Sequence, residues 1–254
     1  MTTEIILLCL VAFVAGFVDA IAGGGGLIQV PMGIVLLPQY PVATVIGTLK
    51  IPAFSGTSIA AVQYAKKVRV NYTLLGVMMA IAFIAAFSGS KLLTLVHNDY
   101  MKPILLVILI AVAIYTYSNK KFGTHTHKAH SPKQQWMYAM LISLIIGFYD
   151  GFIGPGAGSF LMIAFISLLG FDFLKASANA KFVNLATNFG SICLFAITGK
   201  IVLKIAIPMA VCNAVGGALG ARLAIFKGNK FIRIFFLFIV CLTIIRFAYD
   251  VFFS

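Results

Sequence analysis

The chain has 254 residues, of which 61% are hydrophobic and only 10% charged, and its mean hydropathy is +1.06. A soluble domain carries roughly 25% charged residues because its surface must face water, so this composition excludes an ordinary soluble enzyme or binding module. The formal net charge of +13 does not mark a nucleic-acid binder, because Lys and Arg sit mainly in short connectors between long apolar blocks, where they set membrane orientation.

In chain order the apolar blocks are Glu4–Ala22, Leu27–Leu37, Pro41–Tyr64, Tyr72–Val96 and Met101–Tyr117. The second set is Trp136–Ile153, Ser159–Gly170, Phe173–Thr198, Ile201–Ile225 and Phe231–Phe253. Several approach the ~20 residues that a bilayer core demands of a helix. None alternates polar and apolar residues as a barrel strand would. The expected fold is an all-α polytopic membrane protein. The first block has no basic leader and no small-residue cleavage site, so it is expected to stay in place.

A polar connector, Asn119–Lys133, divides the two sets of blocks. Its His125, His127 and His130 have no carboxylate or thiol nearby, and they read as a solvated loop rather than a metal site. Cys9, Cys193, Cys212 and Cys241 lie inside apolar blocks without metal-ligand spacing and are expected to be packing residues. No cofactor or metal is expected.

The second set repeats the first. At an offset of 131, Gly16 aligns with Gly147, Phe17 with Phe148, Asp19 with Asp150, Gly23 with Gly154, Gly25 with Gly156 and Lys50 with Lys181. Lys91 with Arg222 and Asn98 with Asn229 continue the register. Internal duplication is a hallmark of transporter folds. The expected organisation is a first transmembrane repeat over 1–118, a connector over 119–135 and a second repeat over 136–254.

Two topologies fit the pattern. If each Gly-rich segment is part of one crossing, the repeats are parallel and the connector Lys and Arg divide ten against seven. If each segment is a re-entrant hairpin with three further spans, the repeats are inverted and the division becomes twelve against five. The second gives the stronger positive-inside asymmetry. It predicts inverted repeats with the 119–135 connector in the cytoplasm.

Gly23, Gly24, Gly25 and Gly26 interrupt one apolar run, and Gly154, Gly156 and Gly158 interrupt its counterpart. Broken backbone at membrane depth persists only where protein buries it or it lines a cavity. A helix restarting after the break aims free N–H groups and a positive dipole end into the gap. The competing explanation is close helix packing through small residues.

Lys50 and Lys181 lie within apolar blocks, where an ionisable side chain is costly and marks function by default. Lys181, Asn184 and Asn188 share one helical face; Thr57 follows Lys50 at the same spacing as Asn188 follows Lys181, and Thr48 matches Asn179. Amides, hydroxyls and a lysine can replace the hydration shell of an oxyanion. The alternative is that the lysines pair with Asp19 and Asp150. Those carboxylates could themselves carry a coupling proton. No catalytic Ser–His or paired-carboxylate pattern is present, so no enzyme is expected.

The segments GFVDAIAGGGGLIQVP and GTLK, then GFYDGFIGPGAGSF and ANAKFVNLATNFGS, resemble the sulfite exporter TauE/SafE family, and most of all its YfcA-type branch. The resemblance covers nearly the whole chain. It implies a multi-pass transporter of the bacterial inner membrane for sulfur-containing oxyanions such as sulfite or organosulfonates. It also places Gly23 to Gly26, Lys50, Gly154, Gly156, Gly158 and Lys181 in the family's motif regions. The expected partners are the lipid bilayer, a small anionic substrate and protons as coupling ion, with no nucleic acid. A passive anion channel and a non-transporting membrane scaffold remain the alternatives.

Overall fold

The computed structural model describes residues 2–97 and 131–253. The block Met101–Tyr117, the three connector histidines and most of the connector lie outside these residues. Within them the chain forms α1 (Thr2–Ala22), α2 (Gly25–Leu36), α3 (Val42–Ala65), α4 (Tyr72–Leu95), α5 (Pro132–Phe152), α6 (Ala157–Leu169), α7 (Phe173–Ile197) and α8 (Leu203–Phe253). α8 breaks at Gly228, whose φ of 71° and ψ of −164° leave the helical region. Described residues contain no strand. Five of these helices are long and apolar enough to cross a membrane, so the chain is a multi-pass membrane protein.

Local sequence sets the helix starts. Asn71 caps α4 by accepting from the Leu74 amide at 3.2 Å, and Asp172 caps α7 by accepting from the Lys175 amide at 2.9 Å. Ser131 and Gln134 form a reciprocal capping box at the start of α5, which satisfies two amides the helix would otherwise leave open. Gly170, at φ 68°, closes α6.

The bounds recur at the 131-residue offset: α1 corresponds to α5, α2 to α6, α3 to α7, and α4 to the first part of α8. Packing exchanges the halves. α1 lies along α8 and α5 along α4; α3 packs on α8 and α7 on α4; α3 and α7 meet each other at the centre. Glycines allow these close approaches. A methyl group on Gly216 would stand 2.0 Å from the Phe13 carbonyl oxygen, and one on Gly151 would stand 2.0 Å from that of Ala86.

Helix directions follow from which residues touch. Gly47 meets Phe195, Phe54 meets Phe189, and Tyr64 bonds Ser177, so α3 and α7 run antiparallel. Phe13 and Phe17 meet Gly216, and Phe17 and Ala20 meet Gly220, so α1 and α8 run parallel. α3 and α8 advance together as well, since Thr48 meets Val202 at the start of α8 and Gly56 meets Asn213 and Gly217 further on. The connections 66–71 and 198–202 are too short to recross a bilayer, so α4 opposes α3 and α8 opposes α7. Each long helix therefore runs opposite to its counterpart.

The same contacts settle the path of the Gly-rich segments. α1 runs parallel to α3, yet Gln29 meets Leu49 and Gly33 meets Val45, so α2 runs against α3. Gly25 folds back onto Ala15 and Asp19. α1 and α2 are thus a hairpin that enters and returns toward one end of the molecule. α5 and α6 follow the same course from the opposite end, since α5 lies parallel to α4 with Gly147 at Ala82 and Gly151 at Ala86.

Charge separates along this axis. Lys66, Lys67, Arg69, Lys133, Lys175, Arg222, Lys227, Lys230 and Arg233 gather toward the end where α3 finishes and α7 begins. Lys91, Lys200 and Lys204 lie toward the other.

Candidate functional site

The two hairpin tips meet at the centre. Gly23, at φ 74°, ends α1 in a left-handed conformation that glycine adopts without strain. Its carbonyl accepts the Ser159 amide at 3.0 Å, and the Ser159 hydroxyl donates to the Ala22 carbonyl at 2.9 Å. A methyl group on Gly23 would come within 2.3 Å of the Gly158 carbonyl carbon. On the other side Gly26 faces Pro155 and Gly154. The end of each broken helix therefore abuts the restart of the other.

Two ion pairs cross between the halves. Lys50 Nζ on α3 donates to an Asp150 carboxylate oxygen at 2.9 Å and to the Asp150 carbonyl at 2.7 Å. Lys181 Nζ on α7 donates to an Asp19 carboxylate oxygen at 2.8 Å and also to the Asp19 carbonyl. Each lysine thus neutralises a carboxylate and occupies the negative C-terminal end of a broken helix. The pairs obey the repeat, because residues 131 apart exchange roles. Thr187 donates to the second oxygen of Asp150, and Thr57 approaches Asp19 at 3.5 Å.

Between the tips lies a cavity of about 50 Å³, room for a few water molecules. Asp19, Gly23, Gly25, Gly26, Lys50, Thr57, Asp150, Gly154, Gly158, Asn184 and Asn188 line it. Gln29 and Asn213 complete its polar wall. The first-turn amides of α2, at Gly25 and Gly26, have no carbonyl partner within the helix. Asn188 Nδ2 donates to Asn184 Oδ1 at 2.7 Å, which leaves the Asn184 side-chain amide without a hydrogen-bond acceptor among the described residues. Asn184 is 93% buried by its 7% exposure. Asn184 lines the cavity, so its amide can donate there.

Other expected site residues serve elsewhere. The Thr48 hydroxyl donates to the Thr44 carbonyl at 2.7 Å and accepts the Val202 amide at 3.0 Å. Asn179 donates to the Lys175 carbonyl at 2.8 Å. Gly24 and Gly156 stand at the breaks without lining the cavity, and Lys181 lies fully buried behind Asp19. Sequence reasoning missed Gln29 and Asn213, which bond each other at 2.9 Å while Gln29 donates to the Leu49 carbonyl at 2.9 Å. Their repeat counterparts are Phe160 and Ala82, so the repeat gives no signal for them.

A polytopic helical membrane protein with two broken helices meeting at a cavity that carries ionised and amide side chains has the build of a transporter. The sulfite exporter TauE/SafE family model matches residues 8–247. The chain belongs to that family. It is 33% identical over 244 residues to the "Probable membrane transporter protein YfcA" of Escherichia coli K12, covering 94% of this chain and 88% of that one. It is 36% identical over 222 residues to the "Probable membrane transporter protein ORF9" of a Sinorhizobium species, covering 87% and 84%. A "Probable membrane transporter protein" of Haemophilus influenzae is 36% identical over 228 residues, covering 90% and 88%. No solved structure matches the chain significantly.

Proposed function

We propose that the protein is a secondary transporter of small anions, of the sulfur oxyanion class to which the sulfite in the family's description belongs, working by alternating access between inverted repeats. The observation that carries this reading is the cavity between the hairpin tips, lined by the Asn184 side chain and the α2 N-terminus. Both present N–H donors, and N–H donors at a helix start favour an anion over a cation. Asn188 and Thr57 extend this wall with further polar groups.

Cavity size bears on the substrate. About 50 Å³ suits a compact oxyanion such as sulfite, whereas a long-tailed organosulfonate requires the hairpin tips to part. The two ion pairs suit the motion. By the antiparallel register, Lys181 stands level with Ala60 of α3, so the two lysine backbones are roughly 15 Å apart along the helix axis at 1.5 Å per residue. Each ties one hairpin tip to the opposite half, so opening one while keeping the other would expose the cavity to one side at a time.

The basic end, where the second half's helices α5 and α7 begin, is assigned to the cytoplasm on the positive-inside rule. On this reading the 119–135 connector faces the cytoplasm at a bacterial inner membrane. The reading is tested by uptake of ³⁵S-labelled sulfite and methanesulfonate into proteoliposomes. It predicts saturable uptake of at least one sulfur oxyanion that excess chloride does not block. Uptake linear in concentration points to a channel. Absence of uptake by folded protein refutes transport of this class.

A further inference from the structure

The cavity wall carries Lys50, Asp150 and Asp19, with Lys181 buried behind Asp19, and each lysine is already spent on a carboxylate. The four groups together sum to zero, so the wall has no unpaired positive charge. The remaining polar groups, Thr57, Asn184, Asn188 and Asn213, offer dipoles but no charge. An anion moved from water into so small a space within the protein without a counter-charge meets a heavy desolvation cost. Positive charge becomes available in place if one carboxylate takes up a proton, because its lysine is then released as a counter-ion.

Asp19 is the better placed of the two. Its side chain is 18% exposed against 5% for Asp150. Its hydroxyl neighbour, Thr57, stands at 3.5 Å, whereas Thr187 donates closely to Asp150. The Asp19 carbonyl also holds the Lys181 ammonium, so neutralising the carboxyl leaves the cation in position. The titratable groups around Asp19 are Lys181 from α7 and Tyr64 from α3, with Lys50 of α3 and Asp150 of α5 across the cavity. α2, α6 and α8 contribute Gly25, Gly158 and Asn213 to the wall, none of which titrates.

We infer that the coupling ion is the proton, that Asp19 binds it, and that one proton enters with each negative charge so that transport is electrically silent. This rests on the anion-transport reading. In the loaded state the Asp19 carboxyl is a neutral acid and the Lys181 ammonium, held behind it on the Asp19 carbonyl, supplies the counter-charge; proton and anion leave together on the far side.

Methanesulfonate is a suitable probe because it carries no proton of its own near neutral pH. Labelled methanesulfonate uptake is measured in proteoliposomes containing a pH dye, with the potential set by potassium and valinomycin. The expected result is one proton taken in per anion, uptake indifferent to the imposed potential, and accumulation rising about tenfold per pH unit of gradient, the ratio for one coupled proton. Asp19→Asn, which imitates the neutral acid, is expected to exchange methanesulfonate across the membrane but to lose pH-driven accumulation. Saturable uptake driven by potential without proton movement overturns the proton inference and leaves anion transport standing. Uptake of none of the sulfur oxyanions by folded protein overturns both. If Asp19→Asn does not fold, the proton-to-anion ratio of the wild-type protein decides alone.

Discussion

Lys181 has no exposure to solvent, and Asp19 holds its Nζ through both carboxylate and carbonyl. Removing one member of a buried pair strands the other charge, which costs about 3–5 kcal/mol, whereas replacing both with apolar groups of similar shape is nearly neutral. Lys181→Met alone should therefore lower the unfolding midpoint in detergent far more than Lys181→Met combined with Asp19→Leu. Equal losses would mean that the pair is not the dominant contact. At the hairpin tip, Gly23→Ala forces a methyl group into the Gly158 backbone at positive φ, so it should cost at least about 1–3 kcal/mol or abolish folding. Gly76→Ala, on α4 with no atom within 4 Å of the added methyl group, should be neutral or stabilising by up to about 1 kcal/mol. The same melting series checks both. The lysines and carboxylates were legible as rare ionisable groups in apolar blocks, with their mutual pairing as the stated alternative. Which lysine takes which aspartate was not, because the partners are 100 and 162 residues apart and only the exchange of halves brings them together. Thr48 and Asn179 share the helical faces of real cavity residues, yet Thr48 and Asn179 donate to the carbonyls of Thr44 and Lys175, the local back-bonding open to any hydroxyl or amide on a helix.

At the scale of elements, the glycine runs and the 131-residue repeat already marked the hairpins, since broken backbone and duplicated rare residues survive in sequence. The direction of α2 was open on sequence alone. The contacts of Gln29 with Leu49 and of Gly25 with Ala15 decide it, and neither pair has a periodic signature in the sequence. If equivalent helices oppose each other across the bilayer, the connections 66–71 and 198–202 face opposite compartments. In a variant with its native cysteines replaced, Lys67→Cys and Lys204→Cys should react with impermeant maleimide from opposite sides, with Lys67→Cys on the cytoplasmic side. Labelling from the same side would contradict inverted repeats. The Gln29–Asn213 pair breaks the symmetry: it gives one half of the cavity a pair of amides where the other has Phe160 and Ala82. Gln29→Leu leaves Asn213 without its acceptor and should cost about 1–3 kcal/mol, again read as a lowered melting midpoint.

For the whole molecule, the low charged fraction and the long apolar blocks specified a membrane protein, because membrane-spanning segments are written in local composition. The cavity was not legible, since its walls come from seven helices and its volume depends on how closely the glycine tips approach. The account's central claim is that this cavity holds the anion. The most direct test is equilibrium binding of ³⁵S-sulfite to purified protein in detergent, comparing wild type with Asn184→Leu, whose melting midpoint is checked in parallel. The account predicts saturable binding by the wild type that weakens at least about tenfold when the open amide is removed, in line with the loss of a hydrogen bond to a charged group. Undiminished binding by folded Asn184→Leu would place the anion elsewhere and contradict the claim.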